Sequence, residues 1–152
     1  MDAFWIVWAG ILGLFIGSFL NVLVYRLPRG EDFVKGRSHC PSCGHDLAGA
    51  DLVPVLSYLA LGRKCRYCRR PISGRYALVE SLTGALFALG AWLATGFAAA
   101  ARVPVFLLLV AFLSVAVVVV FIRIDRNRVP RALPWVAAAL GAVVIALAWL
   151  MP

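Results

Sequence analysis

The sequence has 152 residues, of which 63% are hydrophobic and 14% charged, with a mean hydropathy of +0.92 and a formal net charge of +8. A soluble domain usually carries about a quarter charged residues, so this composition argues against an ordinary water-soluble domain and calls for lipid as a second solvent. In such a chain positive charge is read first by its position relative to the apolar stretches, and a nucleic-acid role is set aside.

Four apolar stretches run roughly over Phe4–Tyr25, Tyr76–Phe97, Val105–Ile122 and Leu133–Met151. Each is near the ~20 residues that carry an α-helix across the hydrocarbon core, and each is apolar all round rather than along one stripe. The first does not read as a cleaved signal peptide. Asp2 is the only charge before it, it is longer than a usual signal core, and it lacks a convincing cleavage site, so a retained helix is expected. Gly13 and Gly17 form a GxxxG spacing that suits close helix packing within the same bundle. Pro104 and Pro134 are expected near helix starts, where a missing N–H does least harm. The expected fold is an all-α integral membrane protein of about four transmembrane helices with a zinc-ribbon-like loop between the first two. The divisions are 1–27, 28–75 and 76–152.

The basic residues set the expected orientation. Arg26, Arg29, Lys35, Arg37, Arg63, Lys64, Arg66, Arg69, Arg70 and Arg75 fall between the first two stretches. Arg123, Arg126, Arg128 and Arg131 fall between the last two, and Arg102 alone is placed in the remaining loop. Lys and Arg accumulate on the cytoplasmic side, so both basic loops are expected to face the cytoplasm and both termini outward, in agreement with an even helix count. Anionic lipid accounts for the charge without a nucleic-acid partner.

All four cysteines lie in the first loop, as Cys40-x-x-Cys43 and Cys65-x-x-Cys68. Two thiolates on one tight turn can approach a metal, and two such turns complete a tetrahedral Zn²⁺ shell. Pro41, Gly44 and Gly62 supply turn chemistry, and the basic residues around the second pair favour thiolates. Two disulfides, a redox-active pair and an iron–sulfur centre use the same residues. A reducing compartment opposes the first, and the lack of a βαβ context opposes the second. His45 is a further ligand in principle, but beside four cysteines it reads as a polar loop residue. A site closed by four protein ligands is structural, and metal binding would supply folding energy to a loop too small for its own core.

Among polar residues near the membrane, Asn21 is expected to make an interhelical hydrogen bond and Tyr25 to anchor the interface. Glu80 is expected to be an interfacial acid paired with Arg75 or Arg26. Asp125, the sole acid of the second basic loop, is expected to be a salt-bridged acid among four arginines. Aspartyl protease chemistry needs a second carboxylate, and no acid follows Asp125.

The motifs in order resemble the N-terminal half of bacterial type IV prepilin peptidases, bifunctional leader peptidases and N-methyltransferases. Gly17-Ser18-Phe19-Leu20-Asn21-Val22 with Arg26-Leu27-Pro28 resembles the family's GSFLNV…RLP signature. Cys40-Pro41-Ser42-Cys43 and Cys65-Arg66-Tyr67-Cys68 resemble its CPxC and CRxC pairs. Ile72-Ser73-Gly74-Arg75-Tyr76 through Val79-Glu80 resembles ISxRYxxVE, and Asp51-Leu52-Val53-Pro54 with Ser57-Tyr58 fills the intermediate segment. The likeness is close over about residues 10–95 and weaker beyond 100.

The resemblance implies a multi-pass protein of the bacterial inner membrane, linked to type IV pili and type II secretion, with the lipid bilayer, prepilin-like proteins or other membrane subunits as partners. It also implies S-adenosylmethionine-dependent N-methylation as an activity. The second half departs from the family. In the peptidase-like segment near 122–131, where the family has IDxD…xxPD, this chain has Ile122-Arg123-Ile124-Asp125 and Val129-Pro130-Arg131. A later GxGD aspartate has no counterpart before Pro152. The expectation is a peptidase-family protein that does not cleave prepilins alone, acting as a zinc-stabilised binding or assembly module. The alternative is a prepilin-processing enzyme, either the methyltransferase or a peptidase completed by another chain or a further segment. No catalytic or cofactor-binding residue is assigned.

Overall fold

A computed structural model describes residues 2–150. Its helices are α1 (Asp2–Arg26), α2 (Leu56–Ala60), α3 (Arg75–Ala94), α4 (Ala99–Ile124) and α5 (Ala132–Leu150), with short 3₁₀ turns at Leu27–Arg29 and Gly49–Leu52. No strand occurs among the described residues. Three helical stretches, Asp2–Arg29, Arg75–Ala94 and Ala99–Ile124, are long and apolar enough to cross a membrane, and α5 is a fourth apolar helix of 19 residues.

Hydropathy does not distinguish the faces of α1, but side-chain size does. Ala9, Gly13, Gly17, Leu20 and Val24 form its buried stripe at three- and four-residue spacing, while Phe4, Trp8, Leu12, Phe15 and Phe19 stand on the exposed face. With lipid outside there is no hydrophobic drive to bury large side chains, and small residues let backbones approach. A Cβ on Gly13 would lie 2.7 Å from the Phe87 Cβ and 2.8 Å from the Gly84 Cα, and one on Gly17 would lie 2.8 Å from the Glu80 Cα. The GxxxG pair therefore closes α1 on α3, within the same bundle.

Two apolar clusters fill the bundle. At one end Ala9, Phe87, Ala91 and Phe106 pack together, with Trp5 edge-on to Phe106 at 4.9 Å. At the loop end Leu20, Val24, Val79, Val117, Phe121 and Ile122 do the same. α5 packs on α4, where Gly141 faces the Phe112 ring.

Two expectations about helix boundaries are corrected. Pro104 lies inside α4 rather than near its start. The Ala99–Ala101 run begins the helix earlier than the apolar count suggests, because alanine is the strongest helix former although only mildly apolar. Arg102 is consequently helical rather than in a loop. It donates to the Phe97 carbonyl at 3.2 Å and reaches Asp2 at 3.4 Å.

Candidate metal centre

The loop between α1 and α3 is organised as two near-copies of one turn. In the first, Gly44 N–H donates to the Cys40 carbonyl at 2.8 Å and Cys40 N–H to the His45 carbonyl at 3.0 Å. In the second, Arg69 N–H donates to Cys65 at 3.0 Å and Cys65 N–H to Arg70 at 2.9 Å. Isolated bridges, His39 with Asp46 and Lys64 with Pro71, close each turn. The repeat explains a backbone asymmetry. Gly44 occupies the left-handed region at φ 70° and the equivalent Arg69 does so at φ 60°. A side chain there costs roughly 1–2 kcal/mol, partly offset in glycine by its freer unfolded chain. Arg69→Gly is therefore expected to stabilise the second turn by roughly 0.5–1 kcal/mol, read as slower limited proteolysis of the loop.

The two turns bring Cys40, Cys43, Cys65 and Cys68 together, with all four sulfurs within 4.8 Å of one another. Cys40 and Cys68 Sγ are 3.9 Å apart. A tetrahedral ion with ~2.3 Å metal–sulfur bonds needs sulfurs about 3.8 Å apart, so the cluster is close to the size that one metal ion requires. All four are free thiols, with Cys40 and Cys65 buried and Cys43 exposed. Burial pushes the Cys40 thiol up, but the N–H groups of Ser42 and Cys43 and the neighbouring thiols outweigh it and bring it down to about 7. At Cys43 the His45 N–H favours the thiolate, yet burial, its bonds with Cys40 and Cys68 and the charge on Cys40 prevail and push it up to about 11. One sulfur of the set is thus readily ionised, and a bound cation would supply the field to ionise the rest. His45 is not in the cluster; its ring lies 3.7 Å from that of Tyr67, joining the two turns.

Two anchors attach this loop to the membrane helices, through Arg26 and Glu80, and a third bond ties α1 to α3 beneath it. Arg26, at the end of α1, donates to the carbonyls of Asp32, Lys35 and Arg37 at 2.9, 3.3 and 3.2 Å. Asn21 Nδ2 donates to the Tyr76 carbonyl at 3.1 Å, the expected interhelical bond. Glu80 is corrected: it pairs with neither Arg75 nor Arg26. Its Oε2 accepts the Val55 N–H at 2.8 Å, at a β-branched residue with φ 59° and ψ −47°, a backbone state that persists only when held.

Sequence reasoning assigned no role to Asp51, which is the hub of the loop. Its carboxylate accepts from Arg66 Nε at 2.6 Å, the Tyr67 hydroxyl at 3.1 Å and the Ala48 N–H at 3.2 Å. Its side chain is only 3% exposed. An acid between the two Cys turns, the second of them rich in arginine, was the available signal. The Arg66 bond, ahead of the others, holds the Asp51 carboxyl below its usual range. Because the folded pKa is depressed, its stabilisation is complete above the ordinary carboxylate value and is lost as pH falls through the folded one. Asp51→Asn is expected to loosen the loop by roughly 1–3 kcal/mol at pH 7 and to flatten the loss of stability as pH falls below the ordinary carboxylate range, measured by limited proteolysis of the loop.

Asp125 takes its salt bridge from a distance rather than from its neighbours. Arg75 Nη2, at the start of α3, reaches its Oδ2 at 2.7 Å, and the same guanidinium lies over the Phe121 ring at 5.3 Å. The acid fastens the end of α4 to the point where the loop re-enters the bundle.

Residues 11–94, which contain every anchor except Asp125, match the bacterial peptidase A24 N-terminal domain. The chain belongs to that family. Proteins named prepilin leader peptidase/N-methyltransferase are similar to it. That of Myxococcus xanthus is 56% identical over 77 residues, covering 51% of this chain and 23% of its own length. That of Burkholderia pseudomallei is 42% identical over 108 aligned residues, covering 55% of this chain and 35% of its own. That of Pseudomonas aeruginosa is 38% identical over 105, covering 54% and 36%. The chain therefore spans about a quarter to a third of the length of these relatives. No solved structure matches it. The all-helical fold and apolar spans, together with this family, make the chain a multi-span membrane protein.

Proposed function

We propose that this chain is a zinc-stabilised binding or assembly module of the bacterial inner membrane, for prepilin-like proteins or other membrane subunits, without aspartyl protease activity of its own. The observation that carries the first part is the set of four cysteine sulfurs within 4.8 Å of one another. That spacing suits one ion held by Cys40, Cys43, Cys65 and Cys68, whereas a cluster of several irons and sulfides needs a wider cage. When bound, zinc would supply a closed structural cross-link between the two turns and no open coordination position. The boundaries proposed are a first span over 1–27, a metal loop over 28–75 and further spans over 76–152.

The lack of peptidase activity is supported by Asp125, whose carboxylate is committed to Arg75 at 2.7 Å. Arg123 and Arg131 stand where the related pattern carries acids, and no second carboxylate pairs with Asp125 among the described residues. The orientation proposed is loop inward and termini outward. It rests on the Lys/Arg distribution, and it agrees with the Asp2–Arg102 contact, which places the start of α1 and the α3–α4 turn at one end of the bundle.

A second reading, N-methyl transfer from S-adenosylmethionine, is favoured by the names of the relatives. Among the described residues no glycine-rich turn leads into a long helix, as a nucleoside cradle of that type would require. The left-handed glycines Gly30, Gly36, Gly44 and Gly62 all lie in the loop, and none opens one of the long helices. The deciding experiment incubates the purified chain with a prepilin-like substrate, with and without S-adenosylmethionine, and measures its metal content. One zinc per chain with neither cleavage nor methylation supports the module. Methylation alone transfers the assignment to the second reading, and cleavage overturns the role given to Asp125.

A further inference from the structure

The short helix α2, in the middle of the loop, carries a face that neither the cysteine cluster nor the bundle covers. Between Asp51 and Leu61 the exposed residues are Leu52, Val53, Leu56, Leu59 and Ala60, and every one of them is apolar. Leu56 is 66% exposed and Leu59 57%. Single exposed apolar residues are ordinary, but Leu56, Leu59 and Ala60 stand at three- and four-residue spacing, on one side of α2. The polar residues of the same helix, Ser57 and Tyr58, are half-buried. The Ser57 hydroxyl donates to the Asp51 carbonyl at 2.8 Å, and the Tyr58 hydroxyl lies beside Gly74, just before α3.

The height of this face is set by the bond from the Val55 N–H to Glu80 at 2.8 Å. Glu80 lies five residues beyond Arg75, where α3 begins, which is about 7.5 Å along the helix. With 20 residues, α3 is about 30 Å long, no more than the hydrocarbon core is thick. The amide that opens α2 is therefore level with the second turn of a membrane span, and interfacial helices bury their apolar face ~5–10 Å into the headgroup–acyl boundary. At the same height α3 exposes Leu78 and Leu82, so lipid is already the solvent there. Backbone at that depth needs its polar groups answered. Pro54 has no N–H, Val55 gives its own to Glu80, and those of Ser57, Leu59 and Leu61 go to the carbonyls of Val53, Val55 and Ser57 at 3.0–3.1 Å. Arg63 and Lys64 follow soon after α2, both exposed, and suit the anionic headgroups above such a face. A protein partner arriving from water would have to displace lipid to reach it.

We propose that α2 is an interfacial helix, its Leu56, Leu59 and Ala60 face seated in the headgroup–acyl boundary of the leaflet on the loop side, so that the loop rides in the bilayer surface rather than above it. Neither a bound metal nor a protein partner is needed for this contact. The test uses the full chain in nanodiscs of phosphatidylcholine and phosphatidylglycerol. A photoreactive benzophenone amino acid is placed in turn at Leu56, at Leu59 and, as a control, at Glu31, which is exposed in the loop beyond α1. Irradiation and mass spectrometry of the loop peptides should give lipid adducts at 56 and 59 about tenfold or more above those at 31. The wild-type chain is footprinted in parallel with hydroxyl radicals, so the answer does not depend on a substituted chain folding. Leu56 and Leu59 should be labelled about tenfold less than Val34, although the protein itself leaves Val34 78% exposed and the two leucines nearly as open. Absence of lipid adducts at 56 and 59, capture at 31 equal to theirs, or labelling of the leucines as heavy as that of Val34 each overturns the proposal. Chain-to-chain adducts at 56 or 59 in place of lipid overturn it as well and assign the face to a second copy.

Discussion

With zinc held by the four cysteines as proposed, replacing Cys65 by serine is expected to remove the metal and unfold the loop as one event. Cys65 is the most deeply buried of the four thiols, at 1% exposure, so the substituted side chain cannot leave the cluster for solvent, and a hydroxyl is a poor ligand for this ion. Structural zinc supplies on the order of 10 kcal/mol in small peptides. The loop has little to set against that loss: Asp51, Arg26 and Glu80 anchor it through a few hydrogen bonds of roughly 1–3 kcal/mol each. Metal content should fall from one per chain to near zero, and protease cleavage should appear after the loop arginines while the helices stay protected. Retention of zinc in Cys65→Ser would show that three thiolates suffice.

The second large effect is expected at the helix contact. Gly17→Leu should abolish the α1–α3 packing, because even a Cβ at that position would come within 2.8 Å of the Glu80 Cα, a backbone atom. The strain is placed at roughly 3 kcal/mol or more, the upper range for overpacked cores, since neither helix can retreat without uncovering Asn21 and Thr83. Gly49→Ala offers the control: nothing lies within 4 Å of a Cβ there, and it should be neutral. Helical content and resistance to heating in detergent, compared across the two variants, distinguish a specific contact from general intolerance.

The spans and the four-cysteine cluster were legible in the sequence for different reasons. A run such as Val105–Ile122 declares its environment by composition alone, and the paired Cys-x-x-Cys turns carry their geometry in four residues each. The partner of Glu80 was not legible, because it depends on where a long loop passes. Charge suggested Arg75 or Arg26, while the fold brings the Val55 amide to it and sends Arg75 to Asp125. Pro104 misled for a local reason: its helix begins in alanines that barely register as apolar. Asp51 looked like an ordinary loop acid, and only the return of Arg66 and Tyr67 to its side makes it a hub.

The Asn21–Tyr76 bond spans 55 residues of sequence, and that distance has a consequence for how the protein is made. A ribosome adding ~5–20 residues per second makes Asn21 roughly 3 to 11 s before the carbonyl it must meet. During that interval α1 presents an amide and a glycine furrow to lipid with no mate. The nascent chain must wait in an incomplete state, and the same positions that close the finished bundle are those at which a foreign helix could intrude first.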